Sequence, residues 1–226
     1  QDGGLAEYQV APERCLYPVP TGLPFDEAIM VKTVGVPLHA MEMVRLKPGE
    51  SVAVIGPGSI GLLAAMLSAL AGATRVIVIG LTRDEERLAF ARARGFETLA
   101  DGPDDVLSGV LELTGGRGVD VVFEASGGRG TFKSAVELVR LGGQIALIGL
   151  PSEEPFNPSR LINKSIAVYG SSMRSASTWE RALNLVSTRA LDVRPLLTHH
   201  LPLSKTLDAF ELLKQGVGIK IIVAPD

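Results

Sequence analysis

The sequence has few of the residues that build disulfides, metal centres or acid–base sites. Its 226 residues include one cysteine, Cys15, and three histidines. One cysteine excludes an intramolecular disulfide and a cysteine-rich metal lobe, and it fits a reducing compartment. Because free cysteine is among the most buried residue types, we expect Cys15 in a core. No Ser–His–Asp arrangement and no pair of carboxylates stands out, so the sequence assigns no catalytic residue.

Long apolar runs and basic tracts are also missing. The longest apolar run, residues 60–73, is shorter than a membrane span. We expect no signal peptide. The net charge is −3 and no cluster of Lys and Arg occurs. A nucleic-acid partner and a membrane partner are therefore not expected. These absences predict a soluble cytoplasmic protein.

What the sequence does contain is an alternation of short apolar runs with helical patterns. The runs are rich in Val and Ile without polar alternation, which is typical of strands covered on both faces and joined by right-handed crossovers. The predicted strands are 51–55, 75–79, 96–99, 119–123, 144–148 and 165–169. The predicted helices between them are 59–71, 82–94, 104–113 and 131–140. This order predicts an α/β fold with a doubly wound, six-stranded parallel Rossmann sheet.

The two ends of the chain have a different pattern and suggest parts of a second domain. The first 25 residues are rich in proline and turn residues, with a candidate strand at 7–10. Residues 26–46 suggest two helices broken near Gly35 and Pro37. The remaining predicted elements are a helix at 178–189, an extended stretch at 195–201, a helix at 204–214 and a strand at 219–223.

The loop after the first predicted strand carries a Gly-x-Gly-x-x-Gly spacing. Gly56 permits a tight turn, Gly58 leaves room for a pyrophosphate, and Gly61 lets the helix pack close to the strand. The amides of Ser59 and Ile60 then lie at a helix start, where unpaired N–H groups attract anions. This glycine spacing is specific for dinucleotide binding only where it connects a strand to a helix. Its position here therefore predicts a dinucleotide site.

The end of the second strand indicates which dinucleotide is bound. NAD sites usually place Asp or Glu there for the ribose hydroxyls, and this sequence has Gly80. The missing acid leaves room for a 2′-phosphate, which Arg83, assisted by Arg87, could bind in a bidentate manner. Alternatively, Thr82 and Glu85 form a capping box and Arg83 is a solvated residue of the first helical turn. We favour NADP over NAD, and the missing acid counts against a methyltransferase.

Together these motifs resemble the medium-chain dehydrogenase/reductase family, in the branch of sorbitol, threonine and zinc-type alcohol dehydrogenases. The resemblance covers essentially the whole chain in the order of the family. The segments that carry it are GGLAEY (3–8), KPGESV (47–52), the glycine loop, LTGGRGVDVV (113–122) and LTH (197–199).

The resemblance implies a two-domain oxidoreductase with a chaperonin-10-like catalytic domain and a nucleotide domain. Its activity would be hydride transfer between a nicotinamide and an alcohol or ketone. It implies three segments: a remnant of the catalytic domain at 1–35, the Rossmann domain at 36–173, and a return to the catalytic domain at 174–226. The upstream part of the family's catalytic domain has no counterpart here, so we expect a truncated form that is inactive alone.

The resemblance also aligns Lys32 with the position of a zinc ligand. A charged lysine is a poor ligand for zinc. Either a full-length parent lacks catalytic zinc or it holds zinc with fewer ligands; zinc is not expected in this chain, and no metal ligand is assigned. A zinc-independent quinone or enoyl reductase and a catalytically silent dinucleotide-binding module remain as alternatives.

Further cofactor contacts follow from the resemblance alone. Val36 would border the nicotinamide, and Lys220 would reach the pyrophosphate. Three segments would follow the fourth, fifth and sixth strands and line the cofactor: Ala125, Ser126 and Gly127; Ile148, Gly149 and Leu150; and Ser171, Ser172 and Met173.

The remaining polar candidates have structural interpretations. His39 lies in an apolar helix, so packing is favoured over a proton relay. His199 and His200 are adjacent on a strand and face opposite sides, which argues against a metal pair. Glu124 is interpreted as a polar residue of the cleft. The strand at 165–169 would be an exposed sheet edge, and a homodimer through it is compatible with the sequence.

Overall fold

The computed structural model describes residues 3–100, 103–150, 153, 155–172 and 175–226. The chain divides into two compact units. The small unit comprises Gln1–Val31 and Leu183–Asp226, and the large unit comprises Lys32–Ala182.

The large unit is built on a six-stranded parallel sheet. Its strands are β1 (Ser51–Ile55), β2 (Arg75–Gly80), β3 (Glu97–Ala100), β4 (Val119–Glu124), β5 (Val139–Leu147) and β6 (Ala167–Gly170). They are arranged in the order β3-β2-β1-β4-β5-β6, and every neighbouring pair is parallel. The predicted doubly wound fold is therefore confirmed. In the small unit, β7 (Leu197–Pro202) and β8 (Lys220–Ala224) form a parallel pair.

Helices connect these strands. In chain order they are α1 (Phe25–Ala28), α2 (Met30–Val44), α3 (Ser59–Leu70), α4 (Glu85–Arg92), α5 (Pro103–Leu113), α6 (Thr131–Leu138), α7 (Ser159–Lys164), α8 (Ala176–Ser187) and α9 (Thr206–Lys214). Short 3₁₀ helices occur at Glu13–Cys15, Thr82–Asp84, Arg194–Leu196 and Leu203–Lys205.

The central strands form the core of the large unit. Val54 on β1, Ile77 on β2 and Phe123 on β4 are all 0% exposed. Helix α3 is apolar nearly all round, and its buried residues include Leu62 and Leu63. Burial on both faces explains why these strands are continuous apolar runs.

One predicted helix break is wrong. Helix α2 runs without interruption through Gly35 and Pro37, and the break lies at Ile29, between α1 and α2. Proline removes one helical hydrogen bond. Val34 and Leu38, on either side of Pro37, are 0% and 8% exposed, and this burial offsets the lost bond.

The helix predicted over 131–140 is also too long. Helix α6 ends at Leu138, and Val139 is already extended and pairs with Val119 on β4. The ammonium group of Lys164 donates to the carbonyl oxygens of Val136, Glu137 and Val139, at 2.9, 3.0 and 2.6 Å. These contacts satisfy carbonyls that a helix end leaves without donors.

The amino-terminal segment differs from its prediction in two respects. No strand forms over residues 7–10, and Cys15 is exposed rather than buried. The 3₁₀ helix that contains Cys15 buries no residue. Neighbouring prolines such as Pro12 lack the N–H group that pairing between strands requires. The β propensity of residues 7–10 is therefore not enough to form the predicted strand.

An ionic cluster joins three strand segments at the amino edge of the sheet. Asp120 accepts hydrogen bonds from the Ser51 amide at 2.8 Å and from the Ser51 hydroxyl at 2.6 Å, and Arg140 donates to its other oxygen. Burial alone would raise the pKa of Asp120, but the bonds from Ser51 and the guanidinium of Arg140 outweigh it and hold the pKa below its ordinary value.

Because its pKa is lowered on folding, Asp120 stabilises the fold above its unfolded pKa, and this contribution is lost as the pH falls through the folded value. We predict that Asp120→Asn lowers the free energy of unfolding at neutral pH by about 1–3 kcal/mol. The difference should narrow as the pH falls below about 4, where the carboxyl of the unfolded chain takes up its proton first. Urea unfolding at several pH values measures it. The exposed Asp105→Asn is the control, and a difference independent of pH would contradict the assignment.

Candidate functional site

The strand order reverses its direction between β1 and β4, which makes this the topological switch point of the sheet. Their registers place Ile55 beside Glu124, and the Ala125 amide donates to the Ile55 carbonyl at 2.9 Å. Ligands of open parallel α/β sheets bind outside such a reversal. The glycine loop and the segment after β4 therefore lie at one edge.

Two of the three loop glycines are required by the protein's own backbone. Gly56 has a φ of +99°, and a Cβ at this position would lie 2.8 Å from the Ser126 Cβ. A Cβ at Gly61 would overlap the carbonyl oxygen of Gly56. These contacts bring the start of α3 against the end of β1.

The third glycine has no such requirement. Gly58 has a φ of −70° and a ψ of 177°, which any residue can adopt. Apart from Gly58 and its two chain neighbours, no described residue has an atom within 4 Å of the position that its Cβ would take. The space next to Gly58 is therefore free for a ligand.

The start of α3 presents unused donors beside this space. Its first helical bond runs from the Leu62 amide to the Gly58 carbonyl at 2.9 Å, and no side chain caps the helix. For the amides of Ser59 and Ile60, the described part of the chain offers no acceptor. Two free N–H groups at the positive end of a 12-residue helix suit a bound anion.

The end of β2 leaves one arginine available. Arg83 is exposed, and within the described ranges it has neither a hydrogen bond nor an ion pair. Arg87, in contrast, lies 3.5 Å from the carboxylate of Asp84. Arg83 is thus the more available of the two for an anion.

The predicted capping box at this turn is shifted by one residue. The turn begins at Thr82 and has Leu81 as its N-cap, and Asp84 accepts from the Leu81 amide at 3.0 Å. Glu85 instead pairs with Arg92. The prediction that Thr82 and Glu85 form the box is wrong, because a 3₁₀ turn precedes the α-helix and moves the capping frame.

Glu124 at the end of β4 binds the two segments that follow β4 and β5. It is 0% exposed, and its Oε1 accepts from the Ser126 amide at 3.0 Å, the Ser126 hydroxyl at 2.5 Å and the Gly127 amide at 3.0 Å. Its backbone carbonyl accepts from the amides of Ile148 and Gly149 at 2.8 and 3.0 Å. One residue therefore holds both the segment after β4 and the segment after β5.

These two segments pack backbone against backbone. Gly127 has a φ of +64°, and its Cβ would lie 2.9 Å from the Leu150 amide nitrogen. A Cβ at Gly149 would overlap the Gly127 nitrogen and lie 2.6 Å from Oε2 of Glu124. The side chain of Leu150 is 93% exposed at the same edge. The six residues expected to line the cofactor after β4 and β5 are thus brought together at one edge of the sheet.

The structure describes most of the other residues that were expected to contact the cofactor. The Ser171 amide donates to the Leu147 carbonyl at 2.9 Å, next to the end of β5, and Ser172 is exposed. Met173 lies outside the described residues. Lys220 lies on β8 of the small unit, where its carbonyl accepts from the Thr198 hydroxyl. Val36 lies within α2.

The candidate metal and relay residues do not form a centre. Lys32 is exposed on α2. His39 Nδ1 is buried without a hydrogen bond, 3.6 Å from Oε2 of Glu42, so its expected role as a satisfied packing residue is only partly met. His199 contacts the Thr198 hydroxyl and His200 lies 3.5 Å from Asp26. Among the residues that can be described, no three His, Cys, Asp or Glu side chains come together as metal ligands.

Sequence reasoning missed two features of this site. One is the bonding of Glu124, whose signal was an acid directly after the apolar run of β4. The other is the contact between Pro57 and Gly80, for which sequence spacing gives no signal. Both depend on which strands become neighbours.

The fold and the loop geometry are those of a doubly wound dinucleotide-binding protein. The sequence profile of the family described as zinc-binding dehydrogenase matches residues 59–188, more than half of the chain. The chain therefore belongs to the zinc-binding dehydrogenase family, and the resemblance to medium-chain dehydrogenases is confirmed.

Individual relatives agree with this assignment. The sorbitol dehydrogenase of Halalkalibacterium halodurans is 36% identical over 228 residues, which cover 100% of this chain and 66% of that protein. The sorbitol dehydrogenase of Bacillus subtilis is 30% identical over 230 residues, or 100% of this chain and 64% of that protein. The chain thus spans about two thirds of the length of these relatives.

Solved structures show the same similarity. Zinc dependent alcohol dehydrogenase 2 from Streptococcus pneumonia superposes with a TM-score of 0.89 at 27% identity, over 100% of this chain and 66% of that chain. A zinc-binding dehydrogenase from Sinorhizobium meliloti 1021, bound to NADP, has a TM-score of 0.87 at 28% identity, over 100% and 67%.

Two further expectations concern the membrane and the formation of a homodimer. No helix in the described ranges has the length and apolar character needed to cross a bilayer. Strand β6 ends the sheet and pairs only with β5 in the part of the chain described. The homodimer through residues 165–169 stays a prediction that the mass in solution would test.

We predict that Glu124→Met lowers the free energy of unfolding by about 1–3 kcal/mol, because it leaves the amides of Ser126 and Gly127 without their acceptor. Glu124→Gln keeps an acceptor oxygen and should cost less than about 1 kcal/mol. Urea unfolding compares the two, with the exposed Glu86→Met as the control. Equal losses for Gln and Met would show that the hydrogen bonds to Ser126 and Gly127 are not what Glu124 contributes.

Proposed function

We propose that this chain is the cofactor-binding part of an NAD(P)-dependent dehydrogenase that acts on an alcohol or polyol, with NADP preferred over NAD. The single observation that carries the proposal is the free space beside Gly58. A glycine that no neighbouring atom requires, between two glycines that the backbone does require, indicates a position reserved for a ligand.

The chemistry of this space suits a pyrophosphate. The unused amides of Ser59 and Ile60 supply donors, and the dipole of α3 supplies a favourable field for negative charge. The interlocked segments after β4 and β5 would support the nucleosides on the other side of the reversal. The residues present therefore fit a dinucleotide, and a bound nicotinamide ring supplies a hydride acceptor.

The substrate class comes from the relatives. Sorbitol dehydrogenases match the full length of this chain, and a D-arabitol-phosphate dehydrogenase from Enterococcus avium is 30% identical over 99% of it. Oxidation of a secondary alcohol delivers a hydride to the nicotinamide and releases the hydroxyl proton. The described residues would supply the cofactor side of this reaction.

The preference for NADP rests on two residues. Gly80 places no carboxylate at the end of β2, where an acid would repel a 2′-phosphate. Arg83 is exposed near this position and has no competing carboxylate among the residues described. The NADP bound to the Sinorhizobium meliloti structure supports this preference by similarity.

The test of the binding site is Gly58→Ala. The added methyl meets no protein atom, so the free energy of unfolding should change by less than about 1 kcal/mol. The same methyl occupies the place of a phosphate, so the affinity for NADPH should fall at least about tenfold. Calorimetric titration and urea unfolding measure the two effects separately.

Gly3→Ala is the matched control, because it also adds a methyl into open space. It should change neither quantity. If Gly58→Ala binds NADPH and NADH as tightly as the unaltered chain, the loop is not the pyrophosphate site. If the unaltered folded chain binds neither, the proposed function fails.

Arg83→Ala tests the cofactor preference. A guanidinium bound to a 2′-phosphate makes charge-assisted hydrogen bonds, so its loss should weaken NADPH binding by about three- to thirtyfold and leave NADH binding unchanged. The exposed Arg117, at the amino edge, is the control for the loss of one positive charge. Equal weakening of NADPH and NADH binding would show that Arg83 does not recognise the phosphate.

A further inference from the structure

The glycine at the end of β2 is imposed by a side chain of the glycine loop. Gly80 is buried, and a Cβ at this position would lie 2.8 Å from Cγ and 3.2 Å from Cδ of Pro57. The nearest other atom is Cδ2 of Leu88 at 3.2 Å. The φ of Gly80 is not among the positive values, so its own backbone does not demand glycine. The steric demand comes from Pro57.

Pro57 has little freedom to move aside. It is buried between Gly56, whose amide donates to the Ile79 carbonyl at 2.8 Å, and Gly58, which caps α3. Gly56 is also packed against the backbone of Ser126. A proline ring can displace Cγ only by changing its pucker, and its Cδ stays bonded to the backbone nitrogen, whereas the leucine at position 88 can change its rotamer.

This contact connects the pyrophosphate loop to the ribose end of the site. A carboxylate at the end of β2 needs a Cβ there, and the ring of Pro57 occupies the space that this atom requires. From these distances, and resting on the proposed function, we propose that Pro57 is a specificity-determining residue. Its ring keeps position 80 without a side chain, which excludes a ribose-binding acid and leaves the 2′-phosphate of NADP to Arg83.

A stability cycle tests the steric part without any cofactor. In the unaltered chain, Gly80→Ala should lower the ratio of folded to unfolded protein about five- to hundredfold, as overpacking does. In the Pro57→Ala background the same change should alter it less than about threefold, or increase it, because alanine restricts the unfolded chain. Urea unfolding of the four proteins gives the ratios.

The control for additivity is Gly143→Ala, whose Cβ would contact Val139 and the Asp120 carbonyl at the amino edge. Its effect should be the same in the unaltered chain and in the Pro57→Ala background. If Gly80→Ala is equally costly in both backgrounds, Pro57 does not impose the glycine and the proposal is wrong.

A binding experiment tests the specificity part on the full chain. The double variant Pro57→Ala with Gly80→Asp should fold and shift the ratio of NADH to NADPH affinity toward NADH by about tenfold or more, since a carboxylate repels the 2′-phosphate. Gly80→Asp alone should lose stability as Gly80→Ala does. Pro57→Ala alone is the reference for the double variant, because the two proteins differ only in the carboxylate at position 80.

The outcomes separate this inference from the proposed function. If the unaltered chain binds no dinucleotide, the function and the specificity claim both fail, while the stability cycle still tests the contact. If the unaltered chain prefers NADPH and the double variant keeps that preference, the specificity claim alone is overturned.

Discussion

The close approach of the α3 start to the end of β1 is the constraint on which the rest of the site depends. Gly61 lies against the Gly56 carbonyl with no room for a side chain between them. This approach directs the free amides of Ser59 and Ile60 toward the carboxyl edge and leaves the side of Gly58 open. A side chain at Gly61 would tilt the helix away from the strand, and the anion site would lose its donors together with its shape.

On the β4 side of the point where the strand order reverses, the hydrogen bonds of Glu124 hold the segments after β4 and β5. Glu124 uses its carboxylate for the segment after β4 and its backbone carbonyl for the segment after β5. Oε1 of this buried acid meets three donors, whereas its Oε2 has no hydrogen-bond partner among the described residues. The bonds to Oε1 therefore hold the acid and the segment after β4 in one arrangement. Gly127 and Gly149 then close the gap, because only glycine permits their backbones to touch.

Local sequence signals were reliable where one interaction dominates. The strands β1, β2 and β4 are buried on both faces, so their apolar runs predicted them within a residue. Local signals failed where tertiary contacts compete. Helix α2 continues through Pro37 because the surrounding side chains are buried, and α6 ends early because Val139 pairs with β4 and Lys164 caps the helix. The helix cap lies at Leu81 rather than at Thr82, because a 3₁₀ turn precedes helix α4.

The sequence by itself determined the class of fold, the position of the glycine loop and the absence of an acid at position 80. These follow from periodicity and from the conformations that glycine alone adopts, which are properties of neighbouring residues in the chain. Only the tertiary structure decided why position 80 is glycine and what Glu124 binds. Pro57 and Gly80 are separated by a whole helix, and the contact between them exists only because β1 and β2 are paired in parallel, with their carboxyl ends side by side.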